Sequence, residues 1–127
     1  MGEREFSRTD RVAEHVQREL AAIIARDMED PRVTLVTVSA VRVSKDLGHA
    51  RVYVTLPEGR DRTAALRALN HAAGYLRHRL GERLRMRQLP QLRFVHDDRL
   101  EEAMRVDELI EHALGRGTAA ASDGEDR

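Results

Sequence analysis

Two stretches dense in β-branched residues, "VTLVTVSAVRVS" (Val33 to Ser44) and "HARVYVTL" (His49 to Leu56), are separated only by Lys45 to Gly48. A connection that short cannot cross over to start a parallel strand, so the two stretches form an antiparallel hairpin. The second stretch alternates strictly. Ala50, Val52, Val54 and Leu56 point one way, and Arg51, Tyr53 and Thr55 the other. One face of the sheet is therefore buried and the other wet. Val36 and Val38 leave the register of the first strand open.

Helices must supply the cover. From Arg8 to Met28, Val12, Val16, Leu20, Ile23, Ile24 and Met28 recur at the spacing of one helix face. Ser7 followed by Asp10 resembles a capping box, and Asp30-Pro31 turns the chain out of helix. After "PEGRDRT", the stripe Leu66, Leu69, Ala73, Leu76, Leu80 and Leu84 predicts two helices, or one kinked helix, from Thr63 to about Arg85. Beyond Pro90, "QLRFVH" puts Leu92, Phe94 and His96 on one side of a third strand. "DDRLEEAMRVDELIEHAL" opens on acids and carries an apolar face at Leu100, Met104, Ile110 and Leu114, which predicts a last helix. The remaining "GRGTAAASDGEDR" has no apolar period and is predicted to be disordered. The order is helix, strand, strand, helix, helix, strand, helix. It implies an α+β two-layer domain whose three strands pair antiparallel at least in part, with helices on one face.

The stripe of the middle helices runs across Gly74 without a break, although a mid-helix glycine costs about 1 kcal/mol relative to alanine. Ala72, Ala73 and Gly74 are all small, so a backbone could approach closely or the helix could bend with a positive φ at Gly74. Arg77, His78, Arg79, Arg83, Arg85 and Arg87 follow, with Glu82 the only acid before Gln88. A solvated helix face usually mixes both signs; this one is almost wholly positive. A helix beginning at such a break would add free N–H groups and partial positive charge, which suits a phosphate.

The net charge of zero conceals this asymmetry. Residues 1–96 hold 18 Lys+Arg against 12 Asp+Glu, a net of +6, and residues 97–127 hold 4 against 10, a net of −6. All the basic residues but Lys45 are arginines, whose planar fork fits phosphates, although a GC-rich genome favours arginine too. Absence of cysteine removes disulfides, thiolate catalysis and cysteine-based metal sites. No apolar run reaches the roughly 18 residues of a membrane span, and the charged first residues lack a signal-type apolar region, which predicts a cytoplasmic protein with no membrane partner. The six histidines show no metal-ligand spacing, and neither a Walker loop, a dinucleotide fingerprint nor a nucleophile elbow is present, so neither catalysis, a metal nor a cofactor is expected.

The order of elements resembles the type II KH fold, whose nucleic-acid loop GXXG lies between its second and third helices. Here Ala72-Ala73-Gly74 stands in that place and resembles the alanine-x-glycine kink of the ribosome-binding factor A family. The likeness extends through "RTDRVAEHVQRELAAIIARDMEDPRV", "VTVSAVRVSKDLGHARVYVTL", "AAGYLRHRLGERLRMRQLPQLRFVHDD" and "AMRVDELI", from Arg8 to about Ile110. It implies a non-enzymatic assembly factor that binds the free, immature 30S subunit and precursor 16S rRNA, assists late maturation and 5′-end processing, matters most in the cold, and is released by a partner GTPase. It also implies a KH-like domain with its C-terminal helix over residues 1–114 and a flexible acidic tail over 115–127. Ala73 departs from the serine common in relatives, which removes a possible hydroxyl contact.

The expected RNA-binding residues are Arg4, Arg8, Arg11, Lys45, Ala72, Ala73, Gly74, Arg77, Arg79, Arg83, Arg85 and Arg87, unless some of these arginines pair within the chain. The acidic C-terminal segment could compete as an electrostatic mimic of RNA. A general single-stranded binder fits less well, since the chain has only Phe6, Tyr53, Tyr75 and Phe94 for stacking. A protein-interaction module is the third reading. Modest size and the lack of a surplus apolar stripe favour a monomer.

Overall fold

A computed structural model describes residues 7–122, with side chains described through residue 115; Arg4 lies outside these residues. The first helix, α1 (Arg8–Asp27), begins at the expected capping box: Ser7 Oγ accepts from Asp10 N–H, and the Asp10 carboxylate accepts from Ser7 N–H. It buries Val16, Leu20, Ile23 and Ile24. The first strand starts later than its composition suggests. Pro31 and the Asp30 carboxylate, which accepts from Arg32 N–H, fold Pro31–Val33 into a 3-10 turn, and Leu35 then takes a φ of 65°. Only then does β1 (Thr37–Val43) begin, paired antiparallel with β2 (His49–Thr55).

A bulge between Val38 and Ala40 sets the register that the sequence left open. It keeps Val38, Val41 and Val43 opposite Val54, Val52 and Ala50 on the buried face, and turns Ser39 Oγ toward Tyr53 O and the Asp97 carboxylate. The helices α2 (Arg62–His71) and α3 (Ala73–Arg83) lead to β3 (Gln91–His96), which pairs parallel with β2. The sheet order is β1-β2-β3, so the hairpin's second strand lies at the centre. The free edge of β3 is closed by one amide: Asn70 Nδ2 donates to Phe94 O and Asn70 Oδ1 accepts from Phe94 N–H. An edge strand so capped offers less template for pairing with other chains.

α1, α2 and α3 bury Leu20, Ile23, Leu69, Leu76 and Leu80 against Val52, Val54 and Phe94. Each such side chain contributes roughly 1.5–3 kcal/mol through burial. This two-layer core forms one compact unit, Met1–Asp97. Its last residue, Asp97, donates its N–H to Val54 O at the end of the β2–β3 ladder. The second unit, Asp98–Arg127, contains α4 (Arg99–Ser122). Helical backbone therefore continues past the expected end at Leu114, into part of the segment expected to be disordered. Ala119, Ala120 and Ala121 supply the helix propensity that Gly115 and Gly117 lack.

Candidate nucleic-acid interface

Three segments far apart in sequence converge at the hairpin end of the sheet. Arg8 and Val12 come from the start of α1, Lys45, Asp46 and Leu47 from the turn between β1 and β2, and Arg85, Met86, Arg87 and Gln88 from the loop after α3. They line a cleft of about 540 Å³. Arg85 and Arg87 are exposed, as are Arg8 and Lys45, and none of the four has an ion pair among the described residues. The single acid in the lining, Asp46, is used by the turn itself. Its carboxylate accepts from Ser44 Oγ at 2.7 Å and from Gly48 N–H at 2.9 Å, and these bonds, the Ser44 one first, hold its pKa below the usual range. Leu47, with a φ of 62°, adopts the left-handed conformation that favours glycine.

The arginines of α3 have other employment. Arg77 Nη2 donates to Leu89 O at 2.7 Å, and its Nε to Leu89 O and Pro90 O at 3.2 and 3.1 Å. Arg79 pairs with Asp27 at 2.9 Å and with Glu82 at 3.0 Å; the Asp27 charge is the main reason its pKa is raised. Arg83 pairs with Glu19 at 2.8 Å, and that hydrogen bond lowers the Glu19 pKa. These three side chains are thus engaged within the chain, the alternative that the sequence left open, and none of them lines the cleft. Arg77 fixes the entry to β3, while Arg79 and Arg83 tie α3 to α1. The run of positive charge in sequence is broken up by acids that reach it from α1, 52 and 64 residues away.

Gly74 makes no use of the positive φ that glycine allows. It sits in the first turn of α3 without a positive φ, and a Cβ there would meet nothing within 4 Å. The joint itself is Ala72, at φ −88° and ψ 4°, and no side chain caps the N-terminus that follows. Ala72 and Ala73 pack partly against the core while Gly74 is exposed. Gly81 is tighter: a Cβ there would lie 2.6 Å from Leu89 Cδ1, the end of that side chain. One face of α3 thus receives the segment before β3 twice, through Arg77 on its carbonyls and Gly81 under its leucine. Gly74 and the Arg85–Arg87 loop lie at opposite ends of α3, about 16 Å apart for eleven helical residues. Arg11 is exposed on α1 but does not line the cleft.

Sequence reasoning also passed over Arg42, Arg51 and Arg93, which stand side by side on the exposed sheet face. The alternation of each strand placed Arg51 and Arg93 outward. What it lacked was the strand order that makes them neighbours.

The family model described as Ribosome-binding factor A matches residues 8–110. The chain belongs to the ribosome-binding factor A family. It is similar to Ribosome-binding factor A of Hahella chejuensis, with 45% identity over 97% of this chain and 96% of the relative. Its fold is similar to the crystal structure of ribosome-binding factor A from Thermus thermophilus, with TM-score 0.64, 41% identity, and coverage of 71% of this chain and 97% of that one. A second similar structure is the Thermus thermophilus RbfA homology model fitted into a cryo-EM map of a 30S–RbfA complex, with TM-score 0.59, 42% identity, and coverage of 67% of this chain and 90% of that one. These likenesses bear out the family and the α+β, KH-like fold read from sequence. No helix among the described residues is long and apolar enough to cross a membrane.

Proposed function

We propose that this chain binds the free 30S subunit, contacts precursor 16S rRNA, and assists its late maturation and 5′-end processing, with no chemistry of its own. The observation that carries the reading is the cleft in which Arg8, Lys45, Arg85 and Arg87, drawn from three segments, stand without acidic partners among the described residues. Four unpaired cations lining a concave surface attract a polyanion, and their arginine forks suit backbone phosphates. The fitted complex of the Thermus relative supports the small subunit as the particle.

Ala72, Ala73 and Gly74 form a second contact. The α3 N-terminus there lacks a side-chain cap, and the open space over Gly74 admits an RNA backbone close to helix N–H groups. Arg11 adds charge along α1, and Arg4 is a further proposed RNA contact. A GTPase is the proposed agent of release. The chain acts as a monomer in the cytoplasm.

Sedimentation of tagged chain from lysate through sucrose at two salt concentrations tests this, with precursor rRNA probed in each fraction. The expected result is co-migration with free small subunits that carry precursor RNA, weakened at the higher salt. Migration at the top of the gradient at both salts would overturn it.

A further inference from the structure

The register of the sheet sets Arg42 of β1 opposite Arg51 of β2, and Arg51 opposite Arg93 of β3. Three guanidinium groups therefore leave one row of the outer face, with strands about 4.8 Å apart. Like charges directly opposite one another destabilise a sheet. Nothing in the strands offsets them, because none of the three contains an aspartate or glutamate, and no hydrogen bond or ion pair engages these arginines among the described residues. In the next row Tyr53, half-buried, lies between Ala40 and Val95, neither of which is charged.

We infer that this outer sheet face is a further RNA surface, taking single-stranded RNA with phosphates along Arg42, Arg51 and Arg93 and a base stacked on Tyr53. The inference rests on the RNA-binding reading above and extends it. Charge selects a polyanion, and an aromatic ring among arginines selects one with exposed bases, the combination by which single strands are held on sheet platforms. Continuity with the cleft adds to this. Arg42 is three residues before Lys45, about 10 Å of extended chain, so a strand seated in the cleft reaches the row by passing the hairpin turn.

The test uses the full chain and a fluorescein-labelled oligouridylate, with a thiouridine-substituted form for photo-cross-linking. Cross-links are expected in the β2 peptide bearing Tyr53 as well as in those bearing Lys45 and Arg87. Arg51→Glu should raise the melting temperature, since it places an acid between two arginines, and should weaken oligonucleotide binding and flatten its salt dependence. Tyr53→Leu should weaken binding roughly tenfold with little change in that salt slope. Cross-links confined to the cleft peptides, or unchanged binding by Arg51→Glu, would overturn the sheet surface and leave the cleft reading standing. Loss of particle binding by Arg51→Glu with oligonucleotide binding intact would assign the face to an acidic protein segment and overturn RNA as its occupant. No binding of the oligonucleotide by the unaltered chain would overturn the sheet surface, while the cleft reading stands or falls on the particle sedimentation.

Discussion

The arginines of α3 and those of the sheet face are alike in number and residue type, and opposite in circumstance. Arg77, Arg79 and Arg83 each meet an oxygen of the same chain, from Leu89 and Pro90, from Asp27 and Glu82, or from Glu19. Arg42, Arg51 and Arg93 have only one another at the paired positions across the sheet. The first set looks the more available in sequence, being a dense positive run, yet it holds α3 to α1 and to the segment before β3. The second set is scattered from β1 to β3 and is assembled only by strand pairing. Whether a cation is free for a partner is decided by the geometry of its neighbours, and charge density along the chain is a poor guide to it.

Substitutions should separate the two sets. Arg77→Ala should have the largest effect, removing a charged donor from two carbonyls in a part-buried site and destabilising the fold by roughly 2–3 kcal/mol in chemical denaturation. A change within experimental error would mean that the entry to β3 does not depend on it. Gly74→Ala should act in the opposite direction, stabilising by about 0.5–1 kcal/mol, because its backbone is not left-handed and its Cβ would be unobstructed. It should at the same time weaken particle binding if RNA approaches there. Destabilisation would restore a conformational role to that glycine.

The acid limb of the stability curve is a finer probe. Glu19 has its pKa lowered chiefly by the Arg83 hydrogen bond, so it stabilises the fold above the ordinary glutamate range and loses that contribution as pH falls through its lowered value. Asp30 behaves likewise through Arg32, with its pKa lowered from 3.8 to about 2. Arg83→Gln should therefore lower the melting temperature at neutral pH, and the deficit should shrink as Glu19 is protonated. An equal deficit at all pH values would show that Arg83 acts by packing alone. Arg51→Glu gives the smallest expected change in this set, a rise in melting temperature from a cross-strand pair contributing about 0.2–1 kcal/mol.

Much of the fold was legible because its signals are local. The Ser7–Asp10 capping box, the β2 alternation and the apolar stripe through Leu69, Leu76 and Leu80 each state their structure within a few residues. The late start of β1 and the left-handed Leu35 and Leu47 were not legible, since β-branched composition resembles a strand whether or not Asp30 and Pro31 turn it first. The site divided along the same line. Arg8, Lys45, Arg85 and Arg87 were chosen from sequence and the fold gathers them, while the pairing of Arg79 with Asp27 and Arg83 with Glu19 spans separations that no periodicity reports.

The most direct measurement is the affinity of purified small subunits for the chain carrying Arg85→Glu and Arg87→Glu, over a salt series, with a thermal melt of the same protein. These two side chains are exposed and unpaired among the described residues, so the melt should match that of the unaltered chain. Affinity should fall, and the slope of its logarithm against that of salt should flatten by about 1.4 if each arginine neutralises one phosphate of a single strand. An unchanged affinity and slope in a fully folded variant would contradict the cleft as the docking surface.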